Sequence, residues 1–153
     1  GTWDKGSTFN PWIGCTKVST GCASCYAEAL MDKQHKRVHW GRGQDRIRTT
    51  DAYWRKPVMW NKQAEAAGVT SKVFCASLAD VFDDEVDDSW REDLWELIRS
   101  TPNLTWLILT KRIDNVKSMA PSGDGFIADN VWLGVSVEDE KSARERLPVL
   151  GTI

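Results

Sequence analysis

Val73-Phe74-Cys75-Ala76-Ser77-Leu78 is a short, almost unbroken apolar run. Two more follow it, Leu104-Thr105-Trp106-Leu107-Ile108-Leu109 and Val131-Trp132-Leu133-Gly134-Val135-Ser136-Val137. Near-continuous runs of this length are the pattern of strands covered on both faces rather than on one. Their starts lie 31 and then 27 residues apart, close to the length of a βαβ unit. The intervening sequence supplies helices. Pro57 in a first turn and Gly68 at a C-terminus bracket a helix over Val58–Ala67. Ser89 as N-cap with Glu92 three residues on forms a capping box, after which Trp90, Leu94, Leu97 and Ile98 line one helix face. Ile113, Val116 and Met119 predict a short helix before Pro121. Further helices are expected from Cys25, with Ala27, Leu30 and Met31 inward, and over Glu140–Arg146. A first strand is expected around Thr8–Ile13.

Strands alternating with helices imply a parallel sheet with right-handed crossovers, either open and doubly wound or part of a barrel. In both cases function sits on the loops that leave the C-terminal ends of the strands. Here those loops begin at Ser77-Leu78-Ala79-Asp80, Thr110-Lys111-Arg112 and Ser136-Val137-Glu138-Asp139. Polar groups follow the apolar run in all three, which predicts a shared functional rim.

Composition narrows the class. The chain has 153 residues, 41% of them hydrophobic and 27% charged, which fits one ordinary globular domain over residues 1–153, or part of a larger one. No apolar stretch approaches the length of a membrane helix. The N-terminus lacks the layout of a secretory signal, so a cytoplasmic location is expected. It also lacks an initiator Met, as a trimmed or internal start would. The net charge of −2 hides two opposed blocks. Residues 33–62 hold nine basic and two acidic side chains, whereas Asp80 to Glu96 hold nine acidic and one basic. One reading is that the two blocks are solvated and face each other. The other is that the basic block, with Trp40, Tyr53, Trp54 and Trp60 interleaved, contacts a polyanion, Arg and Lys neutralising phosphates while the rings stack on bases.

Cysteine spacing carries the chemistry. Cys15, Cys22 and Cys25 form a C-x6-C-x2-C pattern inside a loop flanked by Gly14 and Gly21. A disulfide framework would leave one of these thiols unpaired. A structural zinc site would need a fourth ligand, from Cys75, His35, His39 or a carboxylate. Three thiolates without an obvious fourth also suit a [4Fe-4S] cluster with one iron left open for a small chelating molecule. The amine and carboxylate of S-adenosylmethionine (SAM) form such a chelating pair, and Tyr26 would lie against the bound SAM.

The blocks Phe9-Asn10-Pro11-Trp12-Ile13-Gly14-Cys15, Gly21-Cys22, Cys25-Tyr26-Ala27-Glu28, Ser77 to Phe82, Leu109 to Arg112 and Asn130 to Glu138 together resemble a phage-associated radical SAM family of undefined function. The resemblance implies a partial (β/α)6 TIM-like barrel, with about four βα units present and cluster and SAM at its top. It implies Cys15, Cys22 and Cys25 as cluster ligands, and Ser77, Asp80, Lys111, Ser136 and Glu138 as cofactor contacts at strand ends. For Asp80 and Glu138, a helix N-cap or first-turn acid is the rival role. The implied activity is reductive cleavage of SAM to a 5′-deoxyadenosyl radical, with an external electron donor, acting on a substrate the sequence does not name. Nucleic acid is the class the basic block suggests. The alternative function is a zinc-stabilised nucleic-acid-binding module. The resemblance also implies further strands beyond Ile153, making this chain the N-terminal, cofactor-binding portion of a longer protein.

Overall fold

A computed structural model describes residues 6–14, 46–76, 78–121, 129–136, 141 and 144. Its elements are β1 (Ser7–Phe9), β2 (Trp12–Ile13), β3 (Ile47–Arg48), α1 (Asp51–Trp54), α2 (Lys56–Ala67), β4 (Ser71–Cys75), α3 (Asp88–Arg99), β5 (Leu104–Thr110), a 3-10 turn at Ile113–Asn115, α4 (Val116–Met119) and β6 (Val131–Val135). Strands β1, β4, β5 and β6 form one sheet in that order, with every neighbouring pair parallel. The three apolar runs are therefore consecutive parallel strands of a mixed α/β fold, as their spacing predicts. β2 and β3 form a separate antiparallel pair, Trp12 opposite Arg48 and Ile13 opposite Ile47.

Strand register sorts side chains into two faces. Phe9, Cys75 and Ile108 share one face, together with Val73, Leu104 and Trp106, because strand side chains alternate with period two. This face meets Trp54 of α1, Leu94, Trp95, Leu97 and Ile98 of α3, and Val116 of α4 in a single buried cluster. Full burial of each such apolar side chain contributes roughly 1.5–3 kcal/mol relative to exposure. The described crossover helices thus all cover the same face. On the opposite face Leu109 and Trp132 are exposed, Trp132 to 62%. The expectation of strands covered on both faces fails at these positions, because the described helices supply only one apolar layer.

The helix boundaries show which local signals won. α2 starts at Lys56 with Pro57 in its first turn and ends at Gly68, whose φ of 67° is the left-handed conformation that glycine adopts without Cβ strain. α3 begins earlier than the capping box suggests. Asp87, not Ser89, is the N-cap, its Oδ1 accepting from both the backbone N (2.9 Å) and Oγ (2.7 Å) of Ser89. A carboxylate two residues upstream takes the orphan N–H first and favours the helix dipole as well. Ile113 and Val116 are buried as predicted, and Lys141 and Arg144 are helical. The expected helix from Cys25 lies outside the described residues.

Two strand predictions need correction. Thr8–Ile13 is not one strand. The chain leaves β1 after Phe9, and Asn10-Pro11 redirects it into β2, in another sheet. Pro11 has no N–H for a ladder, while its carbonyl accepts from the Thr49 backbone N and the Trp54 indole Nε1. β4 stops at Cys75 rather than Leu78, because Ala76 adopts φ 72° and breaks the extended backbone.

Candidate functional site at the strand ends

The three predicted strand ends are joined by hydrogen bonds. Asp80 Oδ1 accepts from the Thr110 hydroxyl at 2.8 Å and from the backbone N of Phe82 at 3.0 Å. Its Oδ2 accepts from the backbone N of Lys111 at 3.0 Å. Ser136 continues the row, its N–H donating to the Thr110 carbonyl at 3.0 Å. Asp80, Lys111 and Ser136 thus lie along one rim, as their positions after the apolar runs imply.

Asp80 is nearly buried, and burial pushes its carboxyl above the usual carboxylate range. The bonds from Phe82, Lys111 and Thr110, together with the charge of Arg112, act in the opposite direction. Its contacts with Phe82, Thr110 and Lys111 give it a fastening role between the ends of β4 and β5. The predicted helix N-cap role goes instead to Asp87. The remaining predicted site residues, Cys15, Cys22, Cys25, Tyr26, Ser77 and Glu138, lie outside the described residues.

Gly14, immediately before Cys15 in sequence, forms a parallel bridge with Ala79, and its N–H donates to the Leu78 carbonyl at 3.1 Å. The Leu78 N–H donates to Asn10 Oδ1 at 2.9 Å. Gly14 has φ 120°, open to glycine and strained for other residues. The backbone therefore enters the cysteine stretch from the C-terminal end of β4, beside Asp80. A cleft of about 390 Å³ opens at the same place, lined by Asn10, Ile13, Arg48, Tyr53 and Leu78 among others. A larger groove of about 580 Å³ between α3 and α4 contains none of the predicted site residues.

The opposed charge blocks do face each other, but in part within the protein. Arg46 Nε contacts Asp83 Oδ2 at 2.6 Å and Arg46 Nη2 contacts Glu85 at 3.1 Å. Arg48 pairs with Asp93 at 2.8 Å and lies 4.0 Å from the centre of the Trp54 ring. The interleaved aromatics pack inward. Tyr53 stacks on Phe9 with centroids 5.1 Å apart, Trp54 meets the same ring edge-on, and Trp60 packs against the core. The structure thus assigns Arg46, Arg48, Tyr53, Trp54 and Trp60 to internal contacts, not to an open stacking surface. Trp40 lies outside the described residues.

Asp83, Asp84 and Glu85 bring their carboxylates within 4.8 Å of one another. Arg46 occupies Asp83 and Glu85, and Arg112 stands 3.7 Å from Asp84, so an ion-pair network accounts for this group. Cys75 is wholly buried on the helix-covered face, and burial raises its thiol pKa far above normal. It is a core residue, which removes it as a zinc ligand.

The DUF5131 family model, described as a protein of unknown function, matches residues 2–153. The chain belongs to this family. Curated proteins and solved structures returned no match. Among the described residues of this DUF5131 chain, no helix is long and apolar enough to cross a membrane.

The internal partners of Asn10, Arg46 and Asp83 are not among the roles the sequence suggests for them. Asn10 stands beside a proline at a strand end, a common place for a side chain that bonds the backbone. For Arg46 and Asp83 the only signal was that each opposes the charge of the other's block.

Proposed function

We propose that this chain is the cluster- and SAM-binding part of a radical SAM enzyme. The observation that carries the reading is Gly14 bonded to Leu78 and bridged to Ala79. The residue before the first of three closely spaced cysteines stands at the C-terminal end of a parallel sheet, where such folds place their chemistry. Strand order that follows the chain, with the described helices on one face, supports an arc of a (β/α)6 barrel over a doubly wound sheet. The four strands of the parallel sheet are open among the described residues, and further strands would complete the arc.

In this reading Cys15, Cys22 and Cys25 are the thiolate ligands of a [4Fe-4S] cluster. When bound, the cluster would pass one electron from an external donor to SAM, so that a C–S bond of SAM breaks to give methionine and a 5′-deoxyadenosyl radical for hydrogen abstraction. The residues of the chain position and enclose. Asp80 fastens the ends of β4 and β5. Lys111 and Ser136 line the rim beside it, and Gly14 lets the backbone turn into the ligand loop. Tyr26, Ser77 and Glu138 are the remaining cofactor contacts proposed.

Anaerobic reconstitution with iron and sulfide tests the reading. Visible charge-transfer absorbance, with iron lost in Cys22→Ala, is the expected result. A colourless protein, or one tightly held zinc in aerobically purified material, would reject it.

A further inference from the structure

The outer surfaces of α2 and α3 carry opposite charge patterns. α2 turns Pro57, Asn61 and Ala64 inward, while Val58 and Met59 stand 38% and 55% exposed. A helix with small and polar residues inward and longer aliphatics outward leaves apolar area for another surface to cover. Arg55, Val58, Lys62 and Glu65 recur at three- and four-residue steps, so they share one exposed face. Arg55 and Lys56 stand at the helix N-terminus with no acid in the first turn, against the sense of the helix dipole. α3 reverses this arrangement over the same length, twelve residues in each helix. Asp88, Glu92 and Glu96 recur at four-residue steps and Arg99 closes the row, all of them exposed. Beside them runs the groove of about 580 Å³ between α3 and α4, with Trp95, Met119, Ala120 and Pro121 as its apolar lining. From N- to C-terminus, the outer face of α2 thus runs from positive to negative and that of α3 from negative to positive.

We infer that this helical face is the interface between two copies of the chain, related by a two-fold axis parallel to the helices. The strands follow chain order in the sheet, so α2, α3 and α4 lie side by side on the face they cover. About such an axis, α2 of each copy seats over the acidic groove beside α3 of the other. The helices then run parallel. Arg55 and Lys56 approach Asp88, Lys62 approaches Glu92 and Glu96, and Glu65 approaches Arg99. Val58 and Met59 meet the apolar lining of the groove. Stacking α2 on α2, or α3 on α3, would set like charges against each other, which selects the crossed pairing. Asp88 and Glu96 already pair within α3, with Arg91 and Arg99. Lys62 and Glu92 have no ion-pair partner among the described residues, so theirs is the contact that pairing supplies. The interface is isologous, and each contact occurs twice. None of the proposed cofactor residues lies on these helices, so the pairing stands whether or not a cluster binds.

Sedimentation equilibrium across the micromolar range tests the pairing. Wild type is expected to form a dimer that weakens as salt rises. Lys62→Glu and Glu92→Lys should each weaken it by about tenfold or more, because each change acts at two symmetric contacts. Mixing the two single variants should restore a dimer containing one copy of each, since every changed position then meets an opposite charge. A folding defect cannot be repaired by mixing, and both variants, altered at exposed positions, should melt with wild type. Met59→Asp probes the apolar contact separately and should also shift the chain to monomer. A wild type that stays monomeric throughout the range would overturn the interface. So would a dimer indifferent to both charge reversals, or single variants that remain monomeric when mixed. Open-ended larger species in place of a dimer would overturn the two-fold arrangement, because they would show α2 docking head to tail.

Discussion

The carboxylate of Asp80 accepts the hydroxyl of Thr110 at 2.8 Å, across the gap between the ends of β4 and β5. The same hydroxyl oxygen accepts from Arg112 N at 2.9 Å, so removing it would break two buried bonds at once. Thr110→Val, nearly equal in volume, is expected to cost about 1–3 kcal/mol by leaving buried partners unsatisfied. Urea denaturation checks this, and a change within error would show that water replaces the hydroxyl.

Asp80 also predicts a pH dependence. Its carboxyl titrates higher in the folded chain than its ordinary 3.8. A raised value means that the contribution of Asp80 is fully present below the unfolded pKa and is lost as pH rises through the folded one. The stability advantage of wild type over Asp80→Asn should therefore be greatest below about pH 3.8 and shrink as pH increases. Paired denaturation curves across that range provide the measurement, and an advantage that grows with pH would contradict the shift.

Asp87 behaves oppositely. The Ser89 hydroxyl, then the Ser89 backbone N–H, hold its carboxyl below 3.8. The stabilisation is present above the unfolded value and lost as pH falls through the folded one. Asp87→Ala should melt below wild type at neutral pH, and the difference should fade in acid. A gap constant down to strongly acidic pH would exclude a charged cap.

Two tryptophans offer a matched pair. Trp12 and Trp106 are both fully buried. The Trp106 indole Nε1 donates to Thr101 Oγ1 at 3.0 Å, whereas that of Trp12 has no partner among the described residues. Replacement by Phe removes the same volume from each. Trp106→Phe should then be the more destabilising by about 1 kcal/mol, the net worth of one hydrogen bond. Equal losses in chemical denaturation would place an acceptor beside Trp12.

Gly68 closes α2 at φ 67° with open space around the position a Cβ would take. Gly68→Ala should therefore cost about 1 kcal/mol through backbone strain alone, with Asn at this position costing less. Thermal melts of the two variants decide it, and equal losses would point to a clash instead of strain.

The last three strands of the sheet were readable because they lie in nearly continuous, evenly spaced apolar runs. Val73, Trp106 and Val131 all open or occupy runs too short for helices and too continuous for surface strands. The rim was readable for the same reason, since Asp80, Lys111 and Ser136 each follow such a run. Long-range polar contacts were not. Nothing local to Arg46 points to Asp83, and Thr110 looks like an ordinary strand threonine until its partner is known. The aromatics between Lys33 and Lys62 misled in a related way. Tyr53 and Trp54 sit among charges along the chain, but the fold turns them onto Phe9. Interleaving in sequence carries no information about facing in space. The break at Asn10-Pro11 was a local signal, and the apolar residues on either side hid it.

The paired neck of β2 and β3 has a consequence for how this protein can change. Because the chain before Cys15 and after residue 45 runs on adjacent, hydrogen-bonded strands, a change in length between them need not disturb the register of the parallel sheet. Residues can be added or removed between those strands while Gly14 and Arg46 stay bonded to the same connection between β4 and α3. The paired neck thus uncouples the length of the sequence between its two strands from the geometry of the strand ends.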